Sequence, residues 1–388
     1  MDFRLSDEHV AIRDTVRRFA EAEVWPRAEE LDRTGEMPYD LIKKCSELGI
    51  QGMLMPEEFG GSNLGVLAWV TALEELARGD ASLATTIFVA FGNANLIDRF
   101  GTPEMKKEWL AAFVRGEGIG SFGLTEPGGG SDNRTLRTTV EVKDDHLVLN
   151  GVKAFITNAG TRISTNVVVA AAVKSDVEDP RDREFCFVAV PYGTAGYTQS
   201  EKYRKLGWRS SDTRELYFDN VVVPRENMIT PPAKGGKGLD PGWQMLSLGR
   251  VSLAATSLGI SSACLHHSLD YSKQRMQFGR PIGSYQRVQD LIVEQLVGLE
   301  TSRLLTQKAA WQIDNGINDP QLVSIAKLYA TEAAKKATDL AIQVHGGMGF
   351  MDECPVSRYY RDVRVHTIGD GTSEIQRMII ARTLGLRG

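Results

Sequence analysis

Apolar positions recur at helical spacing through about the first 115 residues. Ile12, Val16, Phe19 and Ala20 fall on one face of a helix that Ser6 can cap and whose first turn carries Asp7 and Glu8. Pro26 predicts an end or a kink. Val70, Leu73 and Leu76 mark a second stretch that stops at Arg78-Gly79, and a third runs to Phe100-Gly101. Thr102-Pro103-Glu104 reads as a fresh start, with an N-cap, a proline at the first helical position and an acid in the first turn.

From about Gly120 the pattern becomes that of strands. Residues 147–149, 167–173, 185–190 and 216–223 are short β-branched or aromatic runs, which predict an antiparallel β domain. Asn150-Gly151 predicts a hairpin turn, because both residues tolerate positive φ. Pro231-Pro232 and the glycines at 235, 236 and 238 read as a linker. Long helices then return, carrying Val251, Ala254, Ala255 and Leu258, then Val288, Leu291, Ile292 and Gln295. A third, capped by Asp319-Pro320, carries Val323, Ala326 and Ala330, and Thr372 starts a last one. The expected fold is α+β in the order α–β–α: a helical domain over 1–119, a β domain over 120–232 and a four-helix bundle over 233–388.

Composition narrows the class. At 388 residues, with 42% hydrophobic and 24% charged residues, the chain has the make-up of a globular protein of two or three domains, which excludes wholesale disorder and collagen-like repeats. A formal net charge of −5 argues against nucleic acid as a partner. The four cysteines form no C-x-x-C pair, and the six histidines no H-E-x-x-H, so neither a metal site nor a disulfide framework is expected. No apolar run approaches about 18 residues, so no membrane span is expected. The N-terminal residues lack an apolar signal core, and a cytoplasmic location is the corresponding expectation.

Four segments carry candidate chemistry. Residues 122–132, FGLTEPGGGSD, place four glycines, two hydroxyls and two acids where helix gives way to strand. Such a loop either brings backbone N–H groups close to a ligand or is ordinary surface loop. Residues 343–350, QVHGGMGF, end a helix in glycines, as a C-cap or as a close approach to a ligand. In 369–374, GDGTSE, Asp370 stands between glycines before a helix that Thr372 can cap, which makes it either an exposed reactive carboxylate or a turn residue. Arg275 and Arg280 close a helix with cations suited to phosphate or simply to solvent.

Together these segments resemble the acyl-CoA dehydrogenase family of flavoproteins along essentially the whole chain. The matching segments are LTEPGGGSD (124–132), FITN (155–158), LGWRSSDT (206–213), RMQFG (275–279), residues 343–349 and GTSEIQR (371–377). The resemblance implies FAD as cofactor, an acyl-CoA substrate, an electron-transferring flavoprotein as acceptor and a homotetramer. It implies that Phe122, Leu124, Thr125, Phe155, Ile156 and Thr157 surround the flavin ring. Arg275, Phe278, Gln286, Gln343, Gly346 and Gly347 would hold its adenosine and pyrophosphate arm, some of them from a neighbouring subunit, and Thr372 and Glu374 would make further contacts. Ser131, Arg250 and Gly371 would touch substrate, and Asp370 would be the catalytic base.

The implied reaction is α,β-dehydrogenation of the thioester, with the α proton going to the base and the β hydride to flavin N5. The family's usual glutamate base, often preceded by tyrosine, is here Gly369-Asp370, and Gly249 stands where other members place the base. Aspartate is one methylene shorter, about 1.5 Å in reach. The two shrinkages together predict a wide pocket for an α-branched or alicyclic acyl group, as in dehydrogenases of cyclohexanecarboxyl-CoA-like substrates. Three rivals share the scaffold: a nitroalkane-type oxidase, a flavin-holding DNA-associated protein, and a dehydrogenase of carrier-protein-bound acyl groups.

Overall fold

The computed structural model describes residues 4–386; the first three and last two residues, which the expected outer domains include, lie outside them. The N-terminal part is helical: α1 (Asp7–Phe19), α2 (Ala28–Thr34), α3 (Tyr39–Glu47), α4 (Val66–Gly79), α5 (Ala81–Phe100), α6 (Pro103–Met105) and α7 (Ala111–Val114). The expected caps form, since Ser6 accepts from the His9 N–H and Thr102 from that of Met105. Pro26 lies in a 3-10 turn between α1 and α2, so the helical path tightens there and continues.

Eight strands follow in one sheet: β1 (Ile119–Gly123), β2 (Thr139–Val142), β3 (His146–Thr157), β4 (Ser164–Val173), β5 (Glu184–Pro191), β6 (Tyr197–Gln199), β7 (Thr213–Pro224) and β8 (Ala233–Lys234). The sheet is mixed, not antiparallel: β1 and β2 both run parallel to β4. The stretch between β1 and β4 is long enough to make a parallel crossover, which a tight hairpin could not. Nor does Asn150-Gly151 turn the chain. It lies inside β3 at a bulge against β7. Gly151 is needed there because a Cβ would meet Thr138 Oγ1 at 2.5 Å, while Asn150 Oδ1 accepts the Asn220 N–H at 2.8 Å and ties the two strands. β4 is apolar on both faces because both are covered: Val168, Ala170 and Ala172 join the helical core, and Val167, Val169 and Ala171 join the core on the far side.

The C-terminal part begins with α8 (Asp240–Gln274), which is followed by the short hairpin strands β9 (Met276–Gln277) and β10 (Arg280–Pro281). Then come α9 (Gln286–Asp314), α10 (Pro320–His345), α11 (Pro355–Val363) and α12 (Ser373–Thr383). α8, α9, α10 and α12 are the four expected helices and α11 is an addition. The α8 segment is long and apolar enough to cross a membrane by composition, but 72% of its most apolar stretch is buried inside the protein, as in a core helix. All four cysteines are free and buried. Among the described residues no cluster of His, Cys, Asp or Glu is placed to hold a metal.

Candidate active site

α8 is the spine of the site. At 35 residues it is about 52 Å long. Its start packs on the sheet, where a Cβ on Gly242 would lie 2.6 Å from the Phe187 ring and 3.4 Å from that of Phe122. From Val251 to Ser261 it is buried throughout, but residues 246–250 are only half-buried. Asp370 comes to this stretch from the turn between α11 and α12.

The turn is left-handed at two successive residues, Asp370 (φ +51) and Gly371 (φ +88). Aspartate is among the few residues that adopt this conformation readily. Three side chains fix it. Arg250 Nε donates to the Asp370 carbonyl (3.3 Å), Gln376 Nε2 to the carbonyls of Asp370 (3.1 Å) and Gly371 (2.9 Å), and Lys327 Nζ to that of Gly371 (2.8 Å). Thr372 caps α12 by accepting from the Ile375 N–H.

The carboxylate is not exposed, as its glycine neighbours suggested. Oδ2 is buried and has no hydrogen-bond partner. The reason is Gly249, whose missing Cβ leaves the space: a Cβ there would lie 3.2 Å from Oδ2 and 3.4 Å from Cγ. Burial pushes the Asp370 carboxyl above the usual carboxylate range, opposed by the charges of Lys327 and Arg250. Burial likewise lowers Lys327 to about 8 and draws Arg250 down. A carboxyl held above its usual range on a residue that is only half-buried is a candidate proton-transfer group.

The loop after β1 is pinned from below. Lys153, on β3, is fully buried and forms an ion pair with Glu126 Oε1 at 2.7 Å. Its Nζ also donates to the Leu124 carbonyl at 3.2 Å. Glu126 accepts the N–H groups of Arg137 (2.7 Å) and Thr138 (2.9 Å), and the Ala154 N–H donates to the Thr125 carbonyl (2.9 Å). This fixes Thr125 beside β3, where Phe155 takes φ +61 and holds its ring 66% exposed against Tyr203. An apolar ring held into solvent on the strand that ends at Thr157, with Thr125 pinned alongside, suits a planar ligand with an apolar face and a polar edge, so these residues fit a flavin. Ile156 and Leu124 direct their side chains into the cores, leaving only main chain for a ligand. Ser131 lies on an exposed stretch of the same loop.

The remaining candidates gather elsewhere. Tyr271 near the end of α8 stacks on His345 at the end of α10, with ring centroids 4.4 Å apart. That contact brings Arg275 and Phe278 to the same end of the bundle as Gln343, Gly346 and Gly347, and all five are exposed. Gln286 begins α9 beside them, since Phe278 and Tyr285 are in ring contact. Along α8, Arg275 is 25 residues from Arg250, or about 38 Å. Glu374, exposed at the start of α12, lies instead near Asp370. Sequence reasoning missed Lys153, Lys327 and Gln376. A lysine among the apolar residues of a strand or a helix face is the one signal that could have raised the first two.

Three family models tile the chain. The acyl-CoA dehydrogenase N-terminal domain matches residues 6–117, the middle domain 121–221 and the C-terminal domain 236–385. A probable acyl-CoA dehydrogenase of Bacillus subtilis (strain 168) is 39% identical over 386 residues, covering 99% of this chain and all of the relative. The mitochondrial short-chain specific acyl-CoA dehydrogenase of Rattus norvegicus is 39% identical over 380 residues, covering 97% of this chain and 90% of its own length. Among solved structures, butyryl-CoA dehydrogenase from Megasphaera elsdenii superposes with a TM-score of 0.93 at 36% identity, covering the whole of both chains.

Proposed function

The chain belongs to the acyl-CoA dehydrogenase family, an FAD-dependent oxidoreductase acting on acyl-CoA thioesters, and from that premise we propose that Asp370 is its catalytic base and that its acyl pocket is shaped for α-branched or alicyclic groups. When bound, FAD supplies the acceptor for the β hydride. The chain's own residues do the rest. Thr125, Phe155 and Thr157, with the main chain of Leu124 and Ile156, would hold the flavin ring. Asp370, in its ionised form, would take the α proton onto its carboxylate. The observation that carries this reading is the buried, unpartnered Oδ2 beside the half-buried stretch of α8.

The pocket reading rests on Gly369. A Cβ there would make only ordinary contacts, 3.6 Å from the Val365 carbonyl and 3.8 Å from Leu253 Cδ2. A side chain could begin there without a clash, and its omission leaves that volume free beside the base. A ring or a branch at the α carbon can use that volume.

The adenosine arm is proposed to come to Arg275, Phe278, Gln343, Gly346 and Gly347 of a neighbouring copy. A separation of about 38 Å along α8 is too great for one cofactor to contact Arg275 and the Asp370 region of the same chain. α9 also leaves Val293, Val297, Leu304 and Trp311 more than half exposed, with the last three at seven-residue spacing. These support a homo-oligomer, a tetramer by family resemblance, with an electron-transferring flavoprotein as acceptor.

The test is an anaerobic titration of the FAD-loaded protein with linear, branched and alicyclic acyl-CoAs, following flavin absorbance. Bleaching by an alicyclic or α-branched substrate faster than by straight chains is expected, and Asp370→Asn is expected to slow it by about 10²–10⁴-fold. Fast bleaching by long straight chains alone would overturn the pocket, and unimpaired Asp370→Asn would overturn the base.

A further inference from the structure

Lys327 is a fully buried lysine on α10. Burying an ammonium carries a large desolvation penalty, and such groups are normally paired with a carboxylate. Among the described residues, none lies within 4 Å of this one; its hydrogen bond goes to the Gly371 carbonyl. That carbonyl does not depend on it, because Gln376 Nε2 already donates there at 2.9 Å. Satisfying the backbone therefore does not account for a charge at this place. What the charge does face is Asp370, one residue before its acceptor.

We infer that Lys327 is a positioning residue whose charge keeps the buried, unpartnered Asp370 carboxyl ionised while leaving Oδ2 free of any hydrogen bond. A direct ion pair would occupy the oxygen that must receive a proton. A cation held one residue away, on the neighbouring carbonyl, stabilises the anion without covering it. The inference rests on the proposed role of Asp370 and adds a group that nothing at the sequence level singled out.

The charged surroundings are consistent with this. Around Lys327 stand Asp370 and Glu374 from the turn and the start of α12, Arg250 from α8, Glu332 from its own helix and His366 just before the turn. Glu332 is engaged elsewhere, with Ser373 Oγ and Lys335. His366 is buried, and burial lowers its pKa to about 3, so it is neutral at working pH. Asp370 is faced by Lys327 and Arg250, both cations. Arg250 matches a substrate position, so Lys327 is the cation that substrate does not engage.

The test uses the FAD-loaded enzyme with Lys327→Met and Lys327→Gln, the second being the variant that tolerates a polar site if the first fails to fold. Two readouts are taken. One is the pH dependence of kcat/KM for the acyl-CoA that bleaches the wild type. The other needs no turnover: an infrared titration of the protonated carboxyl in resting enzyme, assigned by its absence from Asp370→Asn. Both the acidic limb of the kinetic profile and the infrared midpoint are expected to move up by about one pH unit or more in either variant. An unmoved infrared midpoint in folded variants overturns the inference, even if kcat falls uniformly, since that is what a merely structural lysine would do. An infrared midpoint that moves while the kinetic limb stays would uphold the inference and overturn Asp370 as the base.

Discussion

Glu126 sits in the loop after β1 with both carboxylate oxygens occupied, one by Lys153 and the Thr138 N–H, the other by the Arg137 N–H. Asp370 sits in the turn before α12 with Oδ2 buried and bonded to nothing. Burial pushes both acids up. At Glu126, Lys153 and the hydrogen bonds outweigh burial and hold it below the usual range; at Asp370 burial prevails. Full satisfaction makes a buried carboxylate part of the scaffold, and withheld hydrogen bonds leave it basic. Asp362 sharpens the rule. It too has a buried, unpartnered oxygen and is pushed up to about 7, yet it is wholly enclosed while accepting the Trp208 N–H. Asp370 as a residue is only half-buried, and an unsatisfied acid is a reaction candidate only where a ligand can reach it.

If Glu126 is scaffold, removing its cation should break structure. Lys153→Met leaves a buried carboxylate with its backbone partners alone, and such losses run to about 3–5 kcal/mol. Chemical denaturation should show a loss of this size, together with weakened FAD retention as the Leu124–Thr125 main chain loosens. A loss below about 1 kcal/mol would mean that the pair behaves like an exposed one, and the contrast with Asp370 would collapse.

The second prediction separates position from stability at Asp370. Gly249→Ala puts a methyl 3.2 Å from Oδ2, so the carboxyl must shift by a few tenths of an ångström. Removing a glycine from a helix interior is itself favourable by about 0.5–1 kcal/mol. Turnover is expected to fall about tenfold or more, since misplacement of reacting groups is heavily penalised, while the unfolding midpoint holds or rises. Unchanged turnover would show that the location of this carboxyl does not matter.

Local signals in the sequence were enough for the elements and for the polypeptide around the site. Ser6, Thr102, Asp319 and Thr372 all cap the helices expected of them, because a cap is decided within four residues. Asn150-Gly151 failed for the opposite reason: its turn chemistry is local, but Asn220 and Thr138, distant in sequence, use it for a bulge. The parallel β1–β4 pairing is equally non-local. The glycines beside Asp370 suggest an exposed carboxylate, but Gly249 and α8 arrive from about 120 residues away and bury one of its oxygens. Lys153 and Lys327 stand out in sequence only as lysines on otherwise apolar faces; nothing adjacent to either reveals what its ammonium meets.

The smallest effect has the clearest sign. In the unfolded chain Asp370 titrates near the ordinary value of about 3.9, and folding raises it. Between those two values the folded state holds more protons than the unfolded state, so this group makes stability fall as pH rises, with its full penalty present above the folded pKa. Glu126 has the opposite slope. Its folded value is lowered, so its contribution is complete above the unfolded value of about 4.3 and is lost as pH drops through the folded one. Asp370→Asn removes a titrating group that the fold disfavours when ionised. The variant should therefore be more stable than the wild type near pH 8, by roughly 1 kcal/mol, and the difference should shrink toward pH 4.5. Glu126→Gln should be less stable near pH 8, and its deficit should shrink on acidification. Denaturant unfolding of the three proteins from about pH 8 to about pH 3, which takes in the window of each group, would decide it. A gain for Asp370→Asn that is independent of pH would mean that the carboxyl titrates alike in the folded and unfolded states, so that burial does not raise it and the contrast with Glu126 collapses.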